Sequence, residues 1–430
     1  MTHLLLGIFL MLLLICGGTW ISISIGLGGL YALFLKIGTR TLDLMGVLCW
    51  ANASNFVLAS IPLFVFMGEF LSISGIIERV YEGLNKLLAK VPGQLLQSNI
   101  GACAIFAAAS GSSLAGSATM GKIAYTELVN KRSYDKRIVL GTIAAGGTLG
   151  TLIPPSIIMI LYADVAEESV GQLFSGGVFP GLMLTAFFMI YIAIRAILNP
   201  RLMPQESVRI SFKDRVKSLY DVMPFFILVG IVLGTIYSGL ATPTEAAAAG
   251  ATGSVVMSAA YRTLTWKKIV ASALATVRTT CMIFLIVMAA KVMVMGLTYY
   301  GVSHAIEQWF IDIGSPTKIY LVVILIYLIL GCFFDAVTMI VLTVPIFLPV
   351  MESFGYSRVW FGIVVTICME MGLLTPPVGV NLFIMQGVTG ESLEDVAKGS
   401  YPFLILMLVL LVIIWIWPPV ATWLPTLFYR

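Results

Sequence analysis

Two stretches of this sequence carry residues whose types and spacing suit ion and anion chemistry. GTLGTLIPPS (147–156) and LLTPPVGVN (373–381) each set an adjacent proline pair, Pro154-Pro155 and Pro376-Pro377, inside a long apolar run. A proline inside a helix removes a backbone donor and clashes with the carbonyl one turn back, at a cost of about 3 kcal/mol or more. In lipid the freed backbone groups find no water, so unwound chain is tolerated at membrane depth only where protein buries it or where it lines a cavity. There its carbonyl oxygens can hold a cation, and the half-helix that restarts beyond the break points N–H groups at an anion. Each pair has a polar partner stretch upstream: Ser113, in AAASGSSLAGSATMG, precedes Pro154 by 41 residues, and Asp335, in GCFFDAVTM, precedes Pro376 by 41.

The elements that must position these groups are membrane helices. The chain has 430 residues, 59% hydrophobic and 11% charged, and its mean hydropathy is +1.01. That composition excludes an ordinary soluble protein. The six cysteines are scattered without a CxxC pair and the two histidines, His3 and His304, are far apart, so neither a disulfide framework nor a zinc cluster is expected. No nucleophile set, metal spacing or nucleotide loop points to an enzyme, and nothing points to nucleic acid. The apolar N-terminus lacks a basic leader region and reads as a retained first helix.

The chain reads as two copies. Pro154 and Pro376 are 222 residues apart, and the same offset lays 1–17 on 223–239, 19–37 on 241–259, 53–74 on 275–296 and 170–197 on 392–419. The expected division is 1–217 and 218–430. Each half would hold three spans, an amphipathic segment, a hairpin, a proline-broken span and a last span. In the first half these are an interfacial helix at 76–90, a hairpin at 96–127 and a broken helix at 137–163. In the second, a weaker amphipathic stretch, VSHAIEQWFIDI, precedes a hairpin at 317–352 and a broken helix at 359–388. A hairpin that re-enters does not change sides, which leaves five crossings per half, ten in all, and inverts the second half.

Charge placement agrees with that inversion. With the N-terminus outside, 19 of the 25 Lys and Arg fall on inner segments, among them Lys131, Arg209, Lys213 and Arg215, and five fall outside. Lys291 alone lies in a span. The acidic stretch GESLEDVAK is the one segment that dissents, because it is placed inside. A channel would need a continuous pore, whereas two opposed hairpins that stop midway suit alternating access.

The runs SGSSLAGSATMGKIA, GTLGTLIPPSIIMILYA, SIPLFVFMGEFL, TPTEAAAAGA and GLLTPPVGVNLF together resemble the large, DctM-like membrane subunit of tripartite ATP-independent periplasmic (TRAP) transporters, over nearly the whole chain. The resemblance implies an all-α polytopic fold of two inverted repeats, an elevator mechanism and Na⁺ coupling without any other cofactor. It implies a four-helix small membrane subunit and a periplasmic substrate-binding protein as partners; since the repeat uses all ten expected spans, the small subunit is expected to be a separate chain. It also implies a multi-pass location in the bacterial inner membrane and an organic-acid substrate of the sialic acid or C4-dicarboxylate class, and the charge placement puts both termini on the periplasmic side. A binding-protein-independent Na⁺/carboxylate carrier of the wider hairpin class is the alternative.

The resemblance implies one Na⁺ between each hairpin tip and its broken helix. The matching positions are Ser110, Ser112, Ser113, Gly147, Gly150 and Leu152 for the first, and Asp335, Thr338, Gly372, Leu374 and Thr375 for the second. Hard oxygen donors of these kinds suit Na⁺. The serines could instead be small packing residues; Asp335 is an ionisable group at membrane depth and so a functional candidate. Ser156 and Asn381, which open the half-helices, and Lys291 are candidates for substrate contact. Thr242 to Glu245 reads as a capping box with proline at the first helical position, and Glu69 as a scaffold residue pairing within the fold.

Overall fold

The computed structural model describes residues 2–204 and 211–429. Arg209 and Arg430 lie outside the described residues, as do the side chains of Lys213 and Arg215. Among the described residues every regular element is helical. The chain opens with α1 (Thr2–Cys16), α2 (Ile21–Ile37), α3 (Arg40–Ala53), α4 (Ser60–Ile73) and α5 (Ile76–Leu87). Then come α6 (Leu95–Ser110), α7 (Ser113–Met120, continued as a π-helix over Gly121–Asn130), α8 (Lys136–Leu152), α9 (Ile157–Ala166) and α10 (Val170–Leu198). The rest is α11 (Phe212–Tyr237), α12 (Pro243–Ala260), α13 (Trp266–Tyr299), α14 (Val302–Ile313), α15 (Pro316–Gly331), α16 (Ala336–Ser353), α17 (Arg358–Leu373), α18 (Val380–Thr389), α19 (Leu393–Ile416) and α20 (Pro419–Phe428).

Local chemistry explains the punctuation. Each proline pair follows a helix end, two residues past α8 and three past α17, and α8/α9 bends by 41° at its break. Each hairpin turns at a polar cap: Ser112 accepts from the Ala115 N–H at the head of α7, and Asp335 from the Val337 and Thr338 N–H groups at the head of α16. Gly75, left-handed at φ +82°, breaks α4 from the amphipathic α5, and the pair is bent by 67°. The capping box expected at Thr242 is present, with Glu245 closing back on the Thr242 N–H at 2.8 Å.

The packing comes in cross-paired couples. α2 lies against α13, and α12 against α4; α9 lies against α16, and α18 against α7; α8 lies against α19, and α17 against α10. Close crossings use small residues, as membrane packing favours. At Gly141 a Cβ would stand 2.0 Å from the Gly399 carbonyl, so α8 and α19 meet backbone to backbone.

Three departures from expectation have physical causes. α3 was not expected: its 14 residues are of mixed polarity and give no clear period. The 222-residue offset carries it onto the start of α13, where the second half has one continuous 34-residue helix instead of two. The first hairpin's return arm ends in π-helix rather than ordinary helix. Finally, five helices of the described residues are long and apolar enough to cross a membrane, or seven with each of two bent pairs counted once, against ten expected crossings. α1 and α2 are only 15 and 17 residues long, and the Ala-, Gly- and Ser-rich α12 is not apolar enough.

Candidate functional site

The first hairpin tip closes on the first break. Gly111, at φ +58°, lies so near that a Cβ would meet the Pro155 carbonyl at 2.9 Å and Ile157 N at 3.0 Å; the Ile157 N–H donates to the Gly111 carbonyl at 3.4 Å. On α8, a Cβ at Gly150 would touch the Ser112 carbonyl at 3.1 Å, and one at Gly147 would reach the Ser113 carbonyl at 3.1 Å and Ser117 Oγ at 2.0 Å. Glycine at these two positions therefore lets the hairpin backbone approach the helix. Ser110, Ser112, Ser113, Gly147 and Gly150 are thus brought together. Ser112 N donates to Ser110 Oγ at 3.5 Å. The Leu152 carbonyl instead lies over α10, 2.6 Å from where a Cβ of Gly177 would be.

The second tip repeats the arrangement with different residues. Gly331 packs on Gly372 so closely that a Cβ on either would come within 2.7 Å of the other's backbone. Cys332 Sγ donates to the Pro376 carbonyl at 3.5 Å. Asp335 turns its carboxylate on its own helix: Val337 N–H donates at 3.0 Å, Thr338 N–H at 3.3 Å and Thr338 Oγ1 at 2.5 Å. Thr375 Oγ1 donates to the Met371 carbonyl at 2.7 Å, and Leu374 N to the same carbonyl at 3.1 Å. Gly372 and Pro376 therefore meet the tip directly, whereas Leu374 and Thr375 are tied into the end of α17.

The two half-helices differ at their starts. Ser156 is fully buried and caps α9, accepting from Met159 N–H at 3.3 Å. α18 has no side-chain cap, since Gly379 stands at its N-cap. One residue into it, Asn381 is fully buried, and neither its Nδ2 nor its Oδ1 has a hydrogen-bond partner among the described residues. A buried amide left unpaired costs about 1–3 kcal/mol. An anionic ligand at this uncapped helix start would accept from its free N–H groups and from Asn381 Nδ2.

Lys291 forms an ion pair across the fold. Its Nζ pairs with Asp164 Oδ2 of α9 at 2.9 Å, beside a cavity of about 360 Å³. Asn55, just before α4, donates to the other oxygen of Asp164. Sequence reading did not single out Asp164, because it sits in an acidic run that looks like a solvated loop. It also passed over Glu370, which is buried on α17 and accepts from Thr151 Oγ1 of α8 at 2.6 Å; one charge amid IVVTICMEMGLL gives no pattern to read. Glu69 finds no ion pair or hydrogen bond among the described residues, so the scaffold pairing expected of it is not found.

The dissenting acidic stretch has a local explanation. Lys136, at the head of α8, pairs with Glu391 and Asp395 at 2.9 Å each, and Arg137 Nε with Asp395 at 2.7 Å. GESLEDVAK is therefore held at the same end of the bundle as the basic 136–137. The Tyr125 hydroxyl, followed by Lys136, lowers the Glu391 carboxyl below its ordinary range. A cavity of about 690 Å³ opens between α5 and the π-helical arm, lined by Glu78, Glu82, Lys86, Lys122 and Glu127.

Comparison with known proteins gives a consistent result. The family model described as "Tripartite ATP-independent periplasmic transporter, DctM component" matches residues 8–420. The C4-dicarboxylate TRAP transporter large permease protein DctM of Pseudomonas aeruginosa is 35% identical over 94% of this chain and 93% of its own length. The sialic acid TRAP transporter large permease protein SiaM of Vibrio cholerae is 30% identical over 87% of each chain. The isethionate TRAP transporter permease protein DctMQ of Oleidesulfovibrio alaskensis is 31% identical over 95% of this chain but only 64% of its own length. Among solved structures, the Alcanivorax borkumensis YdaH transporter superposes with a TM-score of 0.56 at 16% identity, covering 97% of this chain and 99% of that one, a likeness of fold.

Proposed function

The chain belongs to the DctM component family of tripartite ATP-independent periplasmic transporters, a family of multi-pass membrane permeases and not of enzymes, and from that premise we propose that it performs Na⁺-coupled uptake of an organic acid across the bacterial inner membrane. In this reading it is the transport subunit of a tripartite system. A separate four-helix small subunit holds it in the bilayer, and a periplasmic binding protein delivers substrate. Both termini face the periplasm. Family membership favours this reading over a binding-protein-independent Na⁺/carboxylate carrier.

The observation that carries the site reading is the doubled junction: a hairpin tip pressed on a proline-broken helix, twice, with an uncapped α18 and an unpaired Asn381 beside one of them. We assign one Na⁺ to each junction, held by carbonyl and hydroxyl oxygens and by Asp335. The substrate carboxylate goes to the start of α18. The cross-paired helices support two inverted repeats, 1–217 and 218–430. Two such repeats suit an elevator, in which α6–α9 and α15–α18 move as one body against α2, α4, α12 and α13.

The test uses the complex reconstituted with small subunit and binding protein, and labelled sialic acid, C4-dicarboxylates and isethionate. Asn381→Ala should raise the half-saturating substrate concentration by about tenfold, or about 1.4 kcal/mol, with the Na⁺ dependence kept. Uptake of the same acid at an unchanged half-saturation would remove Asn381 from the substrate site. Uptake that does not need the binding protein would return the alternative.

A further inference from the structure

The Asn381 amide needs two kinds of partner: Nδ2 donates and Oδ1 accepts. Both atoms are buried without a hydrogen-bond partner among the described residues, in a side chain with no solvent exposure. A carboxylate offers acceptors only. It can take the Nδ2–H and the N–H groups of the helix start, and it leaves Oδ1 as it was. A buried acceptor left unpaired costs about tenfold or more in affinity.

The fold does not ask for this amide. In the 222-residue register Asn381 falls on Met159 of α9, an apolar side chain just as deeply buried. There the chain closes the half-helix start by itself: Ser156 stands at the N-cap in extended backbone, and its Oγ accepts from the Met159 N–H at 3.3 Å. At α18 the N-cap is Gly379, which has no side chain to accept. The Leu382 N–H turns back to the Gly379 carbonyl at 2.8 Å, so the donors that face out of the helix start are those of Val380 and Asn381. One half satisfies its half-helix start internally. The other sets backbone donors, an amide donor and an amide acceptor within two residues of each other.

Resting on the substrate site proposed above, we propose that Asn381 makes the permease select acids with a hydrogen-bond donor, a hydroxyl or an N–H, on the carbon next to the carboxylate. Such an acid presents an acceptor and a donor side by side, and the amide presents a donor and an acceptor side by side. Nδ2–H donates to one carboxylate oxygen, the ligand's hydroxyl donates to Oδ1, and the second carboxylate oxygen takes the N–H groups at the start of α18. An acid without that hydroxyl leaves Oδ1 buried and unpaired, and a site built to bond a substrate hydroxyl discriminates strongly against the analogue that lacks it. Sialic acids and 2-hydroxy dicarboxylates carry the group; unsubstituted dicarboxylates do not. Asn381 is then a specificity-determining residue, and its effect is separate from any selection by the binding protein.

Calorimetric titration of the membrane complex, this chain with its small subunit and without the binding protein, tests the permease's own selectivity. The ligands are matched pairs in saturating Na⁺: malate against succinate, and N-acetylneuraminate against its 2-deoxy analogue. In the pair that binds, the hydroxylated member should be held about tenfold or more tightly, and Asn381→Leu should bring the ratio close to one. Equal affinity within the pair in the wild type would overturn the proposal; Asn381→Leu would then still report a carboxylate contact by weakening both members alike. A preference that survives Asn381→Leu would also overturn it, and a raised Na⁺ half-saturation in that variant would turn Oδ1 towards the cation instead. Binding of no member of either pair would sink the organic-acid site itself, and this inference with it. Should Asn381→Leu fail to fold, Asn381→Met, the side chain buried at this register in the first half, asks the same question.

Discussion

Asp335 caps α16 and is also the proposed cation ligand, and one substitution separates the two roles. Asparagine keeps an acceptor for the Val337 and Thr338 N–H groups, whereas alanine removes a cap worth about 1 kcal/mol. Asp335→Asn should therefore insert and stay folded, while its half-saturating Na⁺ concentration for uptake rises about tenfold or more. An unchanged Na⁺ dependence would leave Asp335 as a cap and nothing else. The sequence made Asp335, the serines and the proline pairs legible because their types are costly or unusual in a membrane helix and recur at one spacing. Glu370 and Asp164 stayed hidden for opposite reasons. The first has no counterpart in the other half, where the same register position is Thr148, and the second lies in a run of acids that composition assigns to a loop. Lys291 was visible, but its partner was not, since an ion pair between α9 and α13 leaves no trace in local sequence.

Between elements, the bond network distinguishes contacts that hold one body together from contacts that join two. Asp164 is gripped from α13 by Lys291 and from the approach to α4 by Asn55. If α9 moves against α4 and α13, those bonds break in every cycle. Asp164→Asn should then change the maximal uptake rate severalfold and leave the Na⁺ half-saturation as it was; loss of Na⁺ affinity in parallel would place Asp164 in the ion site instead. The Lys136–Glu391 pair, by contrast, ties α8 to the segment that leaves α18, at the same end of the proposed moving body. Because Tyr125 and Lys136 lower the carboxyl of Glu391 in the folded protein, the stability it lends is complete above the ordinary carboxylate range and is lost as the pH falls through its lowered value. Glu391→Gln should accordingly lower the thermal midpoint at neutral pH and flatten its fall in acid; a midpoint with the same acid dependence as wild type would argue against this pairing. The helix boundaries of the hairpins and breaks were readable to within a few residues from caps and prolines. α3 was not, because it is short and the second half has no separate helix at that register.

For the whole molecule, the duplicated register of the sequence gives an expectation of counterpart helices, and the structure packs α2 on α13, α12 on α4, α9 on α16 and α18 on α7. What sequence alone could not supply is the contact surface between the halves, because those contacts depend on shape and not on period. The account's central claim is that the two junctions make uptake depend on Na⁺. The direct measurement is accumulation of a labelled organic acid in proteoliposomes that contain this chain, its small subunit and the binding protein, with and without an inward Na⁺ gradient. Accumulation above the external concentration only when the Na⁺ gradient is imposed, and its collapse when a Na⁺ ionophore dissipates that gradient, is the predicted result. Uptake that merely equilibrates the acid, or that accumulates it equally well without Na⁺, would contradict the account.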